Sequence, residues 1–167
     1  MISLLQQAGD ILIPPVVNLE LERQITGWNS LDWLSIHQLE SEYINNAHAW
    51  VSTDQLDPGE AEAIGLALQV KADWLLTDDA QARRFAERLA LEVHGSVGLF
   101  LWAVAAGYVN YSTAKAGSFL VRSPALRARI SPGVCVRAIP ALRFIADLAR
   151  PSHKIFRAAF TSRSWCV

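Results

Sequence analysis

Short strand-like runs alternate along this chain with longer stretches whose apolar residues recur every three or four positions. Ile11-Leu12-Ile13, Trp74 to Thr77 and Leu91-Glu92-Val93 read as strands. Ile2 to Ala8, Val16 to about Ile25, Pro58 to Val70, Ala80 to Leu91 and Val97 to Tyr108 read as helices. Gly9 closes the first helix, Pro14-Pro15 stops the first strand, and Gly107 ends the last helix. Through residue 109 the order is strand then helix, repeated, which predicts an α/β fold with a parallel sheet. Residues 27–50 are less regular. Leu31, Leu34, Ile36 and Leu39 suggest a helix there, and Trp50-Val51-Ser52 a short strand.

Leu56 to Asp79 carries the densest set of signals. Asp57 can cap a helix, Pro58 suits its first position, and Glu60 falls three residues after the cap. At about 100° per residue, Glu60 shares a stripe with Ile64, Ala67 and Leu68, while Glu62 falls on the other side. Glu60 is therefore expected to look towards the sheet. A capping box explains an acid at that position equally well. The strand that follows ends in Asp78-Asp79, at the strand end where open α/β sheets bind ligands. Upstream, Glu20 lies on the face of Val16 and Val17, at a core edge or in a cleft, and Glu22 points elsewhere into solvent.

Composition narrows the class. At 167 residues with 51% hydrophobic and 19% charged residues, the chain is long and apolar enough for one folded domain. Cys135 and Cys166 have neither metal spacing nor disulfide density, and no signal peptide opens the chain, so a reducing, cytoplasmic setting is expected. The most apolar run, Val97 to Val109, is shorter than the roughly 18 residues a membrane span needs. His37, His48, His94 and His153 lack zinc spacing. No P-loop, G-x-G-x-x-G or G-x-S-x-G occurs. A phospho-receiver domain would explain an Asp pair after a buried strand but leaves GEAEAI unexplained.

The net charge of −1 conceals a division. Residues 1–110 hold 15 acids against 5 Lys/Arg, and residues 111–167 hold 1 acid against 10, giving −10 and +9. This break near Tyr111 predicts a domain over 1–112 and a basic segment over 113–167, partly helical or disordered, with a helix at Ala138 to Ala149. The segment reads either as a nucleic-acid arm or as a poorly ordered end.

With these residues in view, LDPGEAEAIGLALQVKADWLLTDDAQARRFAERLALEVHGSVGLFLWAVAAGYV resembles the PIN-domain superfamily, in particular its bacterial and archaeal members with a GEAEAI helix. ILIPPVVNLELER is similar to that family's second strand and the helix bearing its second acid. The resemblance implies a three-layer α/β/α fold and a Mg²⁺- or Mn²⁺-dependent endoribonuclease of the toxin–antitoxin kind. It implies single-stranded RNA as substrate, an antitoxin protein and a second copy of the chain as partners, and no membrane. By motif, Glu20, Glu60 and the pair Asp78 and Asp79 become the metal-binding and catalytic acids, with either aspartate of the pair eligible as ligand. Arg83 and Arg84 become phosphate contacts. The resemblance also marks an absence: the family's first strand, central in its sheet and ending in an Asp, has no counterpart at the start of this sequence. Two readings stay open, a metal-dependent ribonuclease and a catalytically inactive PIN-like module that binds nucleic acid or protein.

Overall fold

The structure, a computed structural model, describes residues 2–24, 32–110 and 133–138. Helix α1 (Ile2–Ala8) ends at Gly9, whose φ of 143° breaks the helix and opens strand β1 (Gly9–Ile13). Buried Pro14 then leads into α2 (Pro15–Gln24), and Asn18 N–H donates to its carbonyl in the first turn. Next come β2 (Leu34–Ile36), α3 (Ser41–Ser52), α4 (Pro58–Val70), β3 (Trp74–Leu76), α5 (Ala80–Arg88), β4 (Val93–His94), α6 (Ser96–Ala105) and β5 (Val134–Ala138).

Two local expectations are corrected. The stretch read as a helix around Leu34 and Ile36 is strand β2, because it adds in parallel to the edge of β1, with Ile11 opposite Leu34 and Ile13 opposite Ile36. Leu31 lies outside the described residues. Trp50-Val51-Ser52, read as a strand, is the last turn of α3. That helix packs on α4. The two helices meet at Gly65, where a Cβ would stand 2.9 Å from Leu39 Cδ2 and 3.3 Å from the Tyr43 carbonyl oxygen. Trp50 then closes the bundle edge on to Phe85 of α5, ring centroids 5.1 Å apart.

Helices cover both faces of the sheet. On one face Leu12, Ile13 and Leu75 pack with Val17 and Leu21 of α2, Ile64 and Leu66 of α4, and Phe85 of α5. On the other, Ile11, Trp74 and Leu76 pack with Leu4 of α1 and with Leu99, Phe100 and Trp102 of α6. The α/β class with parallel pairs holds. The sheet order is β2-β1-β5-β3-β4; β1–β2 and β3–β4 are parallel, and β5 runs antiparallel to both of its neighbours.

The centre of the sheet is filled by a strand from far along the chain. β5 lies in the stretch that the charge break sets apart as a basic C-terminal segment, yet it is the central strand. Gly9, Asp10, Ile11 and Leu12 of β1 face Ala138, Arg137, Val136 and Cys135, while Trp74, Leu75 and Leu76 of β3 face Val136, Cys135 and Val134. Without this strand both inner edges would bury unpaired peptide groups, at about 1–3 kcal/mol each. The expected parallel pairing therefore holds for the outer pairs, and β5 adds an antiparallel strand between them. The helix expected at Ala138 to Ala149 begins on the last residue of β5, and 139–149 lie outside the described residues.

Candidate functional site: an acidic cluster at the carboxyl edge of the parallel strands

β1 and β3 run in the same sense and end at one edge of the sheet, so the helices that follow start there. α2 brings Glu20 to this edge, α4 brings Glu60, and the turn out of β3 brings Asp78 and Asp79. Glu60 is the centre of the group. It is 8% exposed, on the sheet-facing side of α4 as the helical angle predicts. Its role in the helix cap is real as well: Asp57 and Glu60 form a capping box, whose return arm from Asp57 N–H to Glu60 Oε2 is long at 3.4 Å.

Electrostatics ties these acids together. Burial raises the Glu60 pKa from 4.5 to about 7, and the charges of Asp79, Asp57 and Glu20 push it the same way, against the opposing Asp57 N–H hydrogen bond. The Glu20 pKa is raised first by burial and then by Asp57, with Arg23 acting in the opposite sense. Glu20 also presses on the first turn of α4: a Cβ on Gly59 would lie 2.9 and 3.0 Å from its two carboxylate oxygens. Only a glycine lets the carboxylate come this close to the helix start, where the dipole favours it. Glu62 adjoins the group through Glu20, whose pKa its charge also raises. Burial raises its pKa, while a hydrogen bond from Val16 N–H and the nearby His48 lower it, so it caps the start of α2. Glu22 is exposed and accepts from Asn18 Nδ2 at 2.7 Å.

The adjacent aspartates diverge. Asp79 Oδ1 accepts from Gln81 N–H at 2.6 Å and Ala82 N–H at 2.8 Å, capping α5 while its charge bears on Glu60. Asp78 turns to the start of α6, accepting from Ser96 N–H at 2.8 Å and from the Ser96 hydroxyl at 2.5 Å. The arginines diverge too. Arg83 Nη2 donates to the Thr77 carbonyl at 3.0 Å inside the fold, and Arg84 is exposed beside Gln81, Glu87 and Arg88.

Among the described residues, no three His, Cys, Asp or Glu side chains stand close enough to ligate one ion together. The donor chemistry nevertheless suits a hard divalent cation. Hydrated Mg²⁺ takes one or two carboxylates and keeps several waters, and Glu60 beside Asp79 supplies like charges whose repulsion such an ion relieves. At the same edge, β5 contributes no acid. Its N-terminal end is preceded by buried Gly133, where a Cβ would lie 2.6 Å from Ala63 Cβ.

Several participants carry no signal as site residues in the sequence: Ser96, Thr77, and the glycines at 95 and 133, whose importance is one of space. The single readable hint is Gly95-Ser96 at a strand-to-helix turn, a capping signature.

The comparisons with known proteins agree with this architecture. A family model described as DUF3368, PIN domain, matches residues 1–143, a span that includes both parallel strand pairs and β5. No curated protein and no solved structure matches the chain. Acid-bearing helices and strand ends gathered at one sheet edge, together with a family match over most of the sequence, place the chain in the PIN-domain superfamily.

Proposed function

From PIN-domain membership we infer that the chain does nuclease-type work on nucleic acid. We propose that this chain is a divalent-metal-dependent endoribonuclease acting on single-stranded RNA, of the toxin–antitoxin kind, in the cytoplasm. The observation that carries the reading is that buried Glu60, Glu20 pressed against the first turn of α4, and Asp79 at the β3 turn meet from three separate elements at one sheet edge. Glu20, Glu60 and one aspartate of the Asp78–Asp79 pair would hold Mg²⁺ or Mn²⁺ there. Such an ion, when bound, acidifies an attached water and offsets phosphate charge. The protein's own part is to gather carboxylates that repel one another and to keep Glu60 out of bulk water. Cation binding at Glu60 releases the proton held near neutrality, so affinity rises as pH passes through about 7.

Arg84, exposed one turn into α5, is a phosphate contact in this reading. Arg83, bound to the Thr77 carbonyl, serves the turn before it serves a substrate. An antitoxin protein and a second copy of the chain are its proposed partners. Among the described residues no helix is long and apolar enough to cross a membrane.

The test is Mg²⁺-dependent cleavage of a single-stranded RNA by the full chain, with Glu60→Ala and Asp79→Ala each lowering the rate at least about a hundredfold. Cleavage that persists in both variants removes the acids from the mechanism. A second reading, a PIN-like module that binds nucleic acid or protein without cleaving, is favoured by Gly133, since the central strand brings a glycine to the acidic edge. Chelator-resistant RNA binding without cleavage would select it.

A further inference from the structure

We infer that the adjacent aspartates have separate tasks: Asp79 is the donor facing the acidic cluster, and Asp78 is a positioning residue that latches the β3 turn to α6 and so holds Asp79 in place. The inference rests on the reading of the Glu60 cluster as a cation site.

Consecutive residues in an extended segment point to opposite sides, so a single conformation cannot aim both carboxylates at Glu60. Asp78 is the one committed elsewhere. Both its oxygens are used by a residue 18 positions away: Oδ1 accepts from Ser96 N–H and Oδ2 from Ser96 Oγ. Gly95, the residue at the cap of α6, makes no side-chain cap of its own, so the neighbouring strand supplies the carboxylate that the helix start favours. Gly95 is also the residue that lets the latch close. A Cβ there would stand 2.6 Å from Arg83 Nη2 and 2.7 Å from Asp78 Oδ1. Arg83 holds the preceding residue by its donation to the Thr77 carbonyl. Asp79 N–H in turn donates to Thr77 Oγ1 at 3.2 Å, and Asp79 Oδ1 receives the two α5 amides. The turn from Thr77 to Asp79 is thus pinned at each residue. Asp79 Oδ2 has no hydrogen bond to a described residue, and the Asp79 charge bears on Glu60, which leaves this carboxylate for a ligand shared with it.

The two tasks respond differently to asparagine. Asparagine at 78 keeps a carbonyl for Ser96 N–H and an amide for Ser96 Oγ, so the latch survives. Asparagine at 79 keeps the helix cap but loses the charge a cation needs. The experiment titrates the full chain with MnCl₂ alone by calorimetry and follows amide exchange at Gln81 and Ala82. Asp78→Asn should bind Mn²⁺ within about threefold of the wild type, while Asp79→Asn and Asp78→Ala each lose about tenfold or more, the range expected when a ligand or its support is removed. Asp78→Ala should also speed exchange at Gln81 and Ala82, whereas Asp78→Asn should not. The inference is overturned if Asp78→Asn loses as much Mn²⁺ affinity as Asp79→Asn, or if Asp78→Ala leaves both affinity and exchange unchanged. Absence of Mn²⁺ binding in the wild type would refute the cation reading alone. The latch is then judged by exchange, faster in Asp78→Ala supporting it and unchanged refuting it. Should Asp78→Ala not fold, Ser96→Ala cuts the Oδ2 arm alone; faster exchange at Gln81 and Ala82 supports the latch, and unchanged exchange overturns it.

Discussion

On either side of its sheet the chain uses one device twice, and between the two it uses another. β1–β2 and β3–β4 are parallel pairs; β1 leads into α2, which carries Glu20 in its second turn, and β3 leads into α5, which Asp79 caps. They come from sequence-local units, a strand and the helix next to it. β5 comes from elsewhere in the chain, runs against its neighbours, and reaches the shared edge with Gly133. The helices and turns around the outer pairs bring the acidic side chains to the edge, and the middle strand carries the hydrogen bonding that joins the pairs. Sheet closure and site construction are therefore separable here. A strand of either direction satisfies peptide groups, but only one running with its neighbours ends where the acids gather.

That separation can be broken first at its tightest point. Gly133→Val forces a side chain into the 2.6 Å gap against Ala63 and should destabilise the chain by about 3 kcal/mol, measured by urea denaturation. Adding Ala63→Gly should recover part of the loss, since the two positions share one space. An undiminished stability in Gly133→Val would show that β5 does not seat between β1 and β3.

The next effect tests the acidic edge by itself. The folded-state pKa of Glu60 lies above its unfolded value of 4.5, so its stabilising contribution is complete below pH 4.5 and is lost as pH rises through about 7. After allowance for solvent screening the loss should be about 2 kcal/mol. Glu60→Gln should remove most of that slope and exceed the wild type in stability at pH 8. Equal slopes in the two proteins would remove Glu60 from the coupled group. The smallest effect concerns the cap: Asp79→Ala should cost about 1 kcal/mol and Asp79→Asn only a few tenths, as thermal melts would show. A cost for asparagine equal to that for alanine would mean the α5 cap depends on charge.

The legible parts were those that a short stretch specifies by itself. The angular position of Glu60, the boundaries of α4 and the place of Asp78-Asp79 after a buried strand follow from capping residues and helical period. α3 was not legible, because its stability lies in contact with α4 at Gly65. β2 was misread because three apolar residues fit either period, and the edge of β1 decides. The charge break near Tyr111 also misdirected attention from β5. Net charge follows solvent exposure and partners, whereas strand pairing follows register.

Sequence by itself determined the α/β alternation, the capped α4 helix, the carboxylates and their residue numbers, because each rests on neighbours within a turn or a strand. Tertiary structure decided which acids meet, that Asp78 and Asp79 face different partners, and that residues 134–138 fill the centre of the sheet. Those outcomes depend on contacts between segments tens of residues apart, and no local rhythm of apolar and polar positions encodes them.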